Sequence, residues 1–143
     1  MFLSQGLTDF IQPDITNVGG VTQARKVCAL AEAYDVEVAF HNAFGPIQNA
    51  VTIQLDSAIP NFLMQESFYD VFPQWKRDLV RDQMRIEGGR TRVPDAPRIG
   101  VEVDEKVLEE HRVEGQEYFN PEESVRAVKD TWTNEGRRKG GRG

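Results

Sequence analysis

Cysteine is nearly absent from this 143-residue chain, and its single thiol, Cys28, excludes an internal disulfide and a cysteine metal cluster. That usage suits a reducing compartment. No apolar run approaches the roughly 20 residues needed to cross a bilayer, and Met1-Phe2-Leu3-Ser4 has neither the charged start nor the apolar stretch of a secretory signal. A cytoplasmic protein with no membrane partner is expected. Basic charge is also short, with 17 Lys and Arg against 23 Asp and Glu, a net charge of −6 and a sequence pI near 5.0. A nucleic-acid binder needs a basic face, so no nucleic-acid partner is expected either. Arg137-Arg138-Lys139 and Arg142, set among glycines, read as a flexible basic tail over residues 134–143. Gly88-Gly89 and Gly140-Gly141 match no phosphate-binding pattern.

What is present is organised around Val36-Glu37-Val38-Ala39-Phe40-His41-Asn42-Ala43-Phe44-Gly45-Pro46, an apolar run that delivers a histidine into a turn. Asp14 lies 27 residues before His41 and Glu66 lies 25 after it, each at the end of its own strand-like run. The intervals are helix-like, so each is about one β/α unit long, given roughly 250 residues for eight units in a closed barrel. In a parallel sheet of such units the strand ends share one face, where Asp14, His41 and Glu66 would converge. Three units cannot close a barrel and would leave two sheet edges open.

In chain order, residues 1–8 read as a helix end stopped at Gly6, and 9–13 as a buried strand. Gly19-Gly20 suits a sharp turn. Ala24, Val27, Cys28, Ala31 and Tyr34 then share one helical face, with Thr22 as N-cap. Pro46 fits the first position of a second helix with Ile47, Ala50, Val51, Leu55 and Ala58 as its stripe. Residues 61–65 read as a third strand covered on both faces. Phe68, Tyr69, Val71, Phe72 and Trp75 form a packing cluster. Residues 83–87 and 90–93 alternate as a hairpin around Gly88-Gly89, and Asp104 caps a short helix to about Arg112. Another short helix is expected over 121–129. The expected division is 1–80 for the β/α units, 81–133 for the hairpin and short helices, and 134–143 for the tail.

His41 has two readings, a satisfied core histidine or a general base whose Nδ1–H is held by an aspartate one unit upstream. Asp14 is then either a turn residue or that aspartate. Glu66 is either a solvated loop carboxylate or a group facing substrate, as a hydrogen-bond partner or, if protonated, as a donor to a developing oxyanion. His111 sits in the charged segment Leu108-Glu109-Glu110-His111-Arg112 and reads as solvated. The acidic pairs Asp78/Asp82, Glu109/Glu110 and Glu122/Glu123 read as helix faces, since hard cations need several converging oxygens.

Ile11-Gln12-Pro13-Asp14, Asn17-Val18-Gly19-Gly20-Val21-Thr22, Ala31-Glu32-Ala33-Tyr34-Asp35-Val36, His41-Asn42-Ala43-Phe44-Gly45-Pro46 and Ala58-Ile59-Pro60-Asn61-Phe62-Leu63-Met64-Gln65-Glu66 together resemble the C-terminal part of the mandelate racemase/muconate lactonizing enzyme branch of the enolase superfamily. The likeness runs from about Phe2 to Arg112 and is closest to acid-sugar dehydratases of the galactonate, gluconate and xylonate type. It implies an α/β fold, strands 6–8 of a (β/α)7β barrel, followed by a segment that returns to a capping domain. Asp95 to Asp104 is similar to that closing segment. The implied activity is abstraction of a proton α to a carboxylate, a Mg²⁺-stabilised enediolate, and loss of water to a 2-keto-3-deoxy acid. By position His41 matches the acid/base histidine, Asp14 the aspartate that raises its basicity, and Glu66 the glutamate that stabilises the transition state; His41 and Glu66 would also contact the sugar acid. The magnesium ligands would precede Met1, so no metal ligand is assigned in this chain and activity of the chain alone is not expected. The parent is expected to be a homo-oligomer. Phe40 stands where the family more often has a smaller residue, which could reshape the pocket. Racemase, epimerase or cycloisomerase chemistry, or a non-catalytic interaction module, are the alternatives.

Overall fold

The structure is a computed structural model in which residues 2–81 and 84–113 are described. The compact unit that carries the elements named here ends at His111; the expected helix over 121–129 and the basic tail lie outside the described residues. Gly6 stops a single turn at Leu3–Gln5, its N–H donating to the Leu3 carbonyl at 3.0 Å.

β1 (Phe10–Ile11) and β2 (Glu37–Val38) pair in parallel, Phe10 opposite Glu37 and Ile11 opposite Val38. Successive amides of the second row point to opposite neighbours. Glu37, Ala39 and His41 donate to the carbonyls of Asp9, Ile11 and Pro13 at 3.2, 3.0 and 3.1 Å. Val38 instead donates to Asn61 O at 2.8 Å, and its own carbonyl accepts from Leu63 N at 2.9 Å. The expected third strand is thus in place, though only as a bridge between Val38 and Phe62. It is not covered on both faces as expected, because Phe62 and Met64 remain exposed. Asn61 anchors this row further through Nδ2, which donates to Val36 O at 2.9 Å and Cys28 O at 3.2 Å.

α1 (Val21–Glu32) is entered through Gly19 and Gly20, with φ of 99° and 89°. Those left-handed values favour glycine and let the chain turn directly into the helix. Gly20, not Thr22, therefore occupies the N-cap position. Ala24, Cys28 and Ala31 are buried as expected, small enough to let the helix lie close on the sheet. Tyr34 is 46% exposed, contrary to its expected place on this face, because the helix has already ended. Asp35 takes a left-handed φ of 57°, its N–H bonds Glu32 O, and Val36 N–H bonds Ala31 O, both at 3.0 Å. This 6→1 and 5→2 pattern is a Schellman turn, and it drops Val36 into the core. Phe40 is also fully buried in that core.

α2 (Pro46–Asp56) begins with its proline as expected, but its buried face is rotated from the expected stripe. Ile47 and Ala58 are exposed, whereas Gln48, Asn49 and Thr52 are buried with Ala50, Ile53 and Leu55. Beyond Glu66 only Tyr69 of the aromatic cluster is buried. Trp75, on the single turn α3 (Gln74–Arg77), stacks flat on His111, ring centroids 4.3 Å apart and 6° from coplanar. His111 is therefore a stacked ring, not merely a solvated one. Among the described residues the expected hairpin is one pair, Glu87 and Arg90, which exchange both backbone bonds at 2.8 and 3.1 Å across Gly88-Gly89; Asp82 and Gln83 lie outside the described residues. Asp104 caps α4 (Glu105–Glu110), accepting from Lys106 N and Val107 N. No helix among the described residues is long and apolar enough to cross a membrane.

At the end of α2, Asp56 has one carboxylate oxygen buried without a hydrogen-bond partner, and burial pushes its pKa up to about 7. Burial, then the charge of Asp56, pushes the Cys28 thiol up to about 11. The folded chain binds the Asp56 proton more tightly than the unfolded chain, so this group's stabilisation is complete below the unfolded value of 3.8 and is lost as pH rises toward 7. Asp56→Asn, which cannot ionise, is expected to be more stable than wild type at pH 8 by at least about 1 kcal/mol, since a tenfold difference in proton affinity is worth about 1.4 kcal/mol. The advantage should vanish near pH 4. Urea unfolding at the two pH values measures it.

Candidate active site

The ladder between the first two rows continues past the formal strand ends, and it places His41 beside Asp14. His41 N–H is bound to Pro13 O, so the side chains that follow each strand emerge together. His41 Nδ1 lies 2.7 Å from Asp14 Oδ2. On the other side His41 Nε2 lies 3.9 Å from Glu66 Oε2, too far for a hydrogen bond. Glu66 is held by the next amide of the same row, Asn42 N–H donating to Oε2 at 3.1 Å. The three residues singled out in the sequence thus stand in one line, with Asp14 6% exposed, His41 39% and Glu66 34%.

Asp14 is surrounded by donors. Oδ1 accepts from Thr16 N at 2.7 Å, Thr16 Oγ1 at 2.5 Å and Asn17 N at 3.3 Å. Oδ2 accepts from His41 Nδ1 and from Gln48 Nε2 at 3.1 Å. Burial alone would raise this carboxyl's pKa, but hydrogen bonds from Thr16, His41 and Gln48 outweigh it and hold the pKa at about 2. Asp14 is therefore ionised at neutral pH and can only accept, which requires the hydrogen of neutral His41 to sit on Nδ1. The lone pair is then on Nε2, directed toward Glu66 and the exposed side. Such an imidazole can take a proton at Nε2, and the resulting cation lies between two carboxylates.

Sequence reasoning missed the residues that hold this line in place. Thr16 is legible afterwards as Asp-x-Thr, a turn in which an aspartate gathers donors two residues on. Asn42 Nδ2 donates to Asn49 Oδ1, and Ser67 Oγ lies 3.5 Å from the same oxygen. That partly buried chain ties the loop after β2 to the loop bearing Glu66. Phe44 meets the imidazole edge to face, centroids 6.0 Å apart and 73° between planes.

Among the described residues no group of three or more His, Cys, Asp or Glu side chains could hold a metal ion. Both Asp14 oxygens already carry donors, which would have to leave before a cation could bind there. The donor set of the described residues does not by itself fit Mg²⁺.

With that geometry in view, the model of the family described as "Enolase C-terminal domain-like" matches residues 1–107. The chain belongs to this family. Among proteins of the enolase superfamily it is 51% identical over 131 residues to a D-gluconate dehydratase of Thermoproteus tenax, covering 92% of this chain and 26% of that enzyme. It is 42% identical to a D-gluconate/D-galactonate dehydratase of Picrophilus torridus, covering 92% and 33% of the two chains. A solved enolase of Pantoea ananatis with bound D-gluconate and Mg superposes with a TM-score of 0.72 at 26% identity, over 80% of this chain and 28% of that one. An enolase-superfamily structure from Salmonella Typhimurium gives 0.70 at 35% identity, over 76% and 28%. The small parallel sheet with its crossing helices is thus an enolase C-terminal domain-like α/β fold. The chain spans about a quarter to a third of the length of these relatives.

The Asp14 carboxyl, held at about 2 against 3.8 for the free side chain, contributes stability that is fully present above pH 3.8 and lost as pH falls toward 2. That difference in proton affinity corresponds to about 2 kcal/mol. In urea titrations the gap in stability between wild type and Asp14→Asn should therefore narrow by about that amount between pH 6 and pH 2. A gap independent of pH would show that Asp14 is not held as described.

Proposed function

We propose that this chain is the proton-transfer part of an acid-sugar dehydratase, with His41 as base, Asp14 as its orienting carboxylate and Glu66 as the group facing substrate. The observation that carries the reading is the line Asp14–His41–Glu66, in which a buried anion fixes the hydrogen on Nδ1 and leaves Nε2 open toward a second carboxylate. His41 Nε2 takes the proton α to the carboxylate of an aldonate. The electron pair left behind moves toward the carboxylate and returns as the C–O bond breaks, the β-hydroxyl taking the proton back from His41 to leave as water, and ketonisation of the resulting enol gives a 2-keto-3-deoxy acid. The imidazolium formed is stabilised by the charge of Asp14, which does not itself take the proton. The names of the relatives, gluconate, galactonate and xylonate dehydratases, support a small sugar acid as substrate. In this reading Mg²⁺ is a cofactor whose ligands come from outside this chain, and the enzyme works in the cytoplasm.

A chimera tests it. This chain, placed in the Thermoproteus tenax enzyme in place of the matching segment, is expected to convert D-gluconate to the keto acid, whereas the 143-residue chain alone gives no product. His41→Asn in the chimera should lower turnover by about 10²- to 10⁴-fold, the range of a lost general base. A folded chimera whose turnover is unchanged by that substitution removes His41 from the reaction. Epimerised acid in place of keto acid would favour racemase chemistry.

A further inference from the structure

Gln48 stands on the inner face of α2, a helix whose ordinary business is to pack, yet this polar side chain is only 6% exposed, and burying an amide is costly unless its hydrogen bonds are made. Its position is explained by what its two ends touch. Oε1 accepts the Phe44 N–H at 3.0 Å, and Nε2 donates to Asp14 Oδ2 at 3.1 Å and to the His41 carbonyl at 3.3 Å. The amide orientation is fixed by these neighbours, since a backbone N–H needs an acceptor and a carboxylate or carbonyl needs a donor. Glutamate would lose the donor, methionine both groups, and asparagine is one methylene short.

We infer that Gln48 is a positioning residue of the proton-transfer site, one side chain that fixes the aspartate, the backbone of the histidine and the turn that places Phe44 against the imidazole. Asp14 Oδ1 is tied to its own turn by Thr16 and Asn17, but on Oδ2 the bond from Gln48 is the one that joins β1's loop to α2. Without it Oδ2 keeps only the His41 bond, and nothing on the α2 side resists a turn of the carboxylate away from Nδ1. Phe44 is half exposed and its ring keeps its edge-to-face contact with His41 only while the turn 42–45 is held, which the Oε1 bond does. The helix thus reaches into the site through a residue that acts on Asp14, His41 and the turn beside them.

This inference rests on His41 being the base. It is tested on the full 143-residue chain by ¹³C NMR titration of the Asp14 carboxyl and by hydrogen exchange at the Phe44 amide, in wild type, Gln48→Glu and Gln48→Met. Gln48→Glu keeps an oxygen for Phe44 and sets a second carboxyl against Asp14, so Phe44 exchange should stay near the wild-type rate while the Asp14 titration midpoint moves up by about 1 in pH or more. Gln48→Met loses both ends, so Phe44 should exchange at least about tenfold faster, the factor for about 1.4 kcal/mol of lost protection, and Asp14 should also rise. Should the methionine variant not fold, the glutamate variant decides, because it separates the two ends. An Asp14 midpoint unmoved by Gln48→Glu, or equal acceleration of Phe44 exchange in both variants, overturns the inference. In the chimera Gln48→Met should lower kcat about 10- to 100-fold with KM little changed, as expected when a base is misplaced without loss of binding. If the base reading fails instead, His41→Asn leaves turnover intact while the Asp14 and Phe44 readouts still move.

Discussion

The carboxylate of Asp14 receives five hydrogen bonds from four residues, and three separate elements meet through it: the turn after β1, the end of the second row and the inner face of α2. A buried carboxylate with that many donors is costly to protonate and costly to move. Its ionisation fixes the tautomer of His41, and the tautomer leaves a lone pair on the nitrogen that faces Glu66. The chemistry available to the site follows from where the donors around one anion are placed. The polar inner face of α2 follows from the same demand, since Gln48 is buried against the site and not against the core.

Parallel pairing delivers these groups to a single rim. The row through β2 alternates its amides between neighbours, so His41 N–H goes to Pro13 and Asn42 N–H goes to Glu66. One strand in the middle therefore holds the loop of each flanking strand with consecutive backbone groups. Beneath it, Phe40 and Val38 are fully buried among Ala24, Cys28 and Ala31, so the row that carries the histidine is also the row most firmly packed.

Much of this was legible in the sequence because it depends on spacing. Asp14, His41 and Glu66 are separated by one β/α unit each, Pro46 opens a helix because its missing N–H costs nothing there, and Asp104 announces a cap. What spacing does not encode is which face of a helix a polar residue takes. Ile47 and Ala58 looked like core and are exposed, while Gln48, Asn49 and Thr52, outside the apolar stripe, are buried, because partners such as Asn42 and Asp14 lie 7 and 34 residues away along the chain. Tyr34 misled for another reason: helical periodicity continued past a Schellman turn that only Asp35 in a left-handed conformation reveals. His111 gave no sign of the Trp75 ring that covers it, since the two come from segments far apart in sequence.

The alternation along the middle row also protects against error. Were that row to shift by one residue against β1, His41 and Asn42 would trade places, the imidazole would turn toward α2 and the amide toward Asp14, and Phe40 would leave the face it shares with Val36 and Val38 for the tight place of Ala39. No half-correct arrangement exists in which the apolar residues are well placed but the reactive ones are not. A chain that has settled its interior has, by the same act, aimed its histidine.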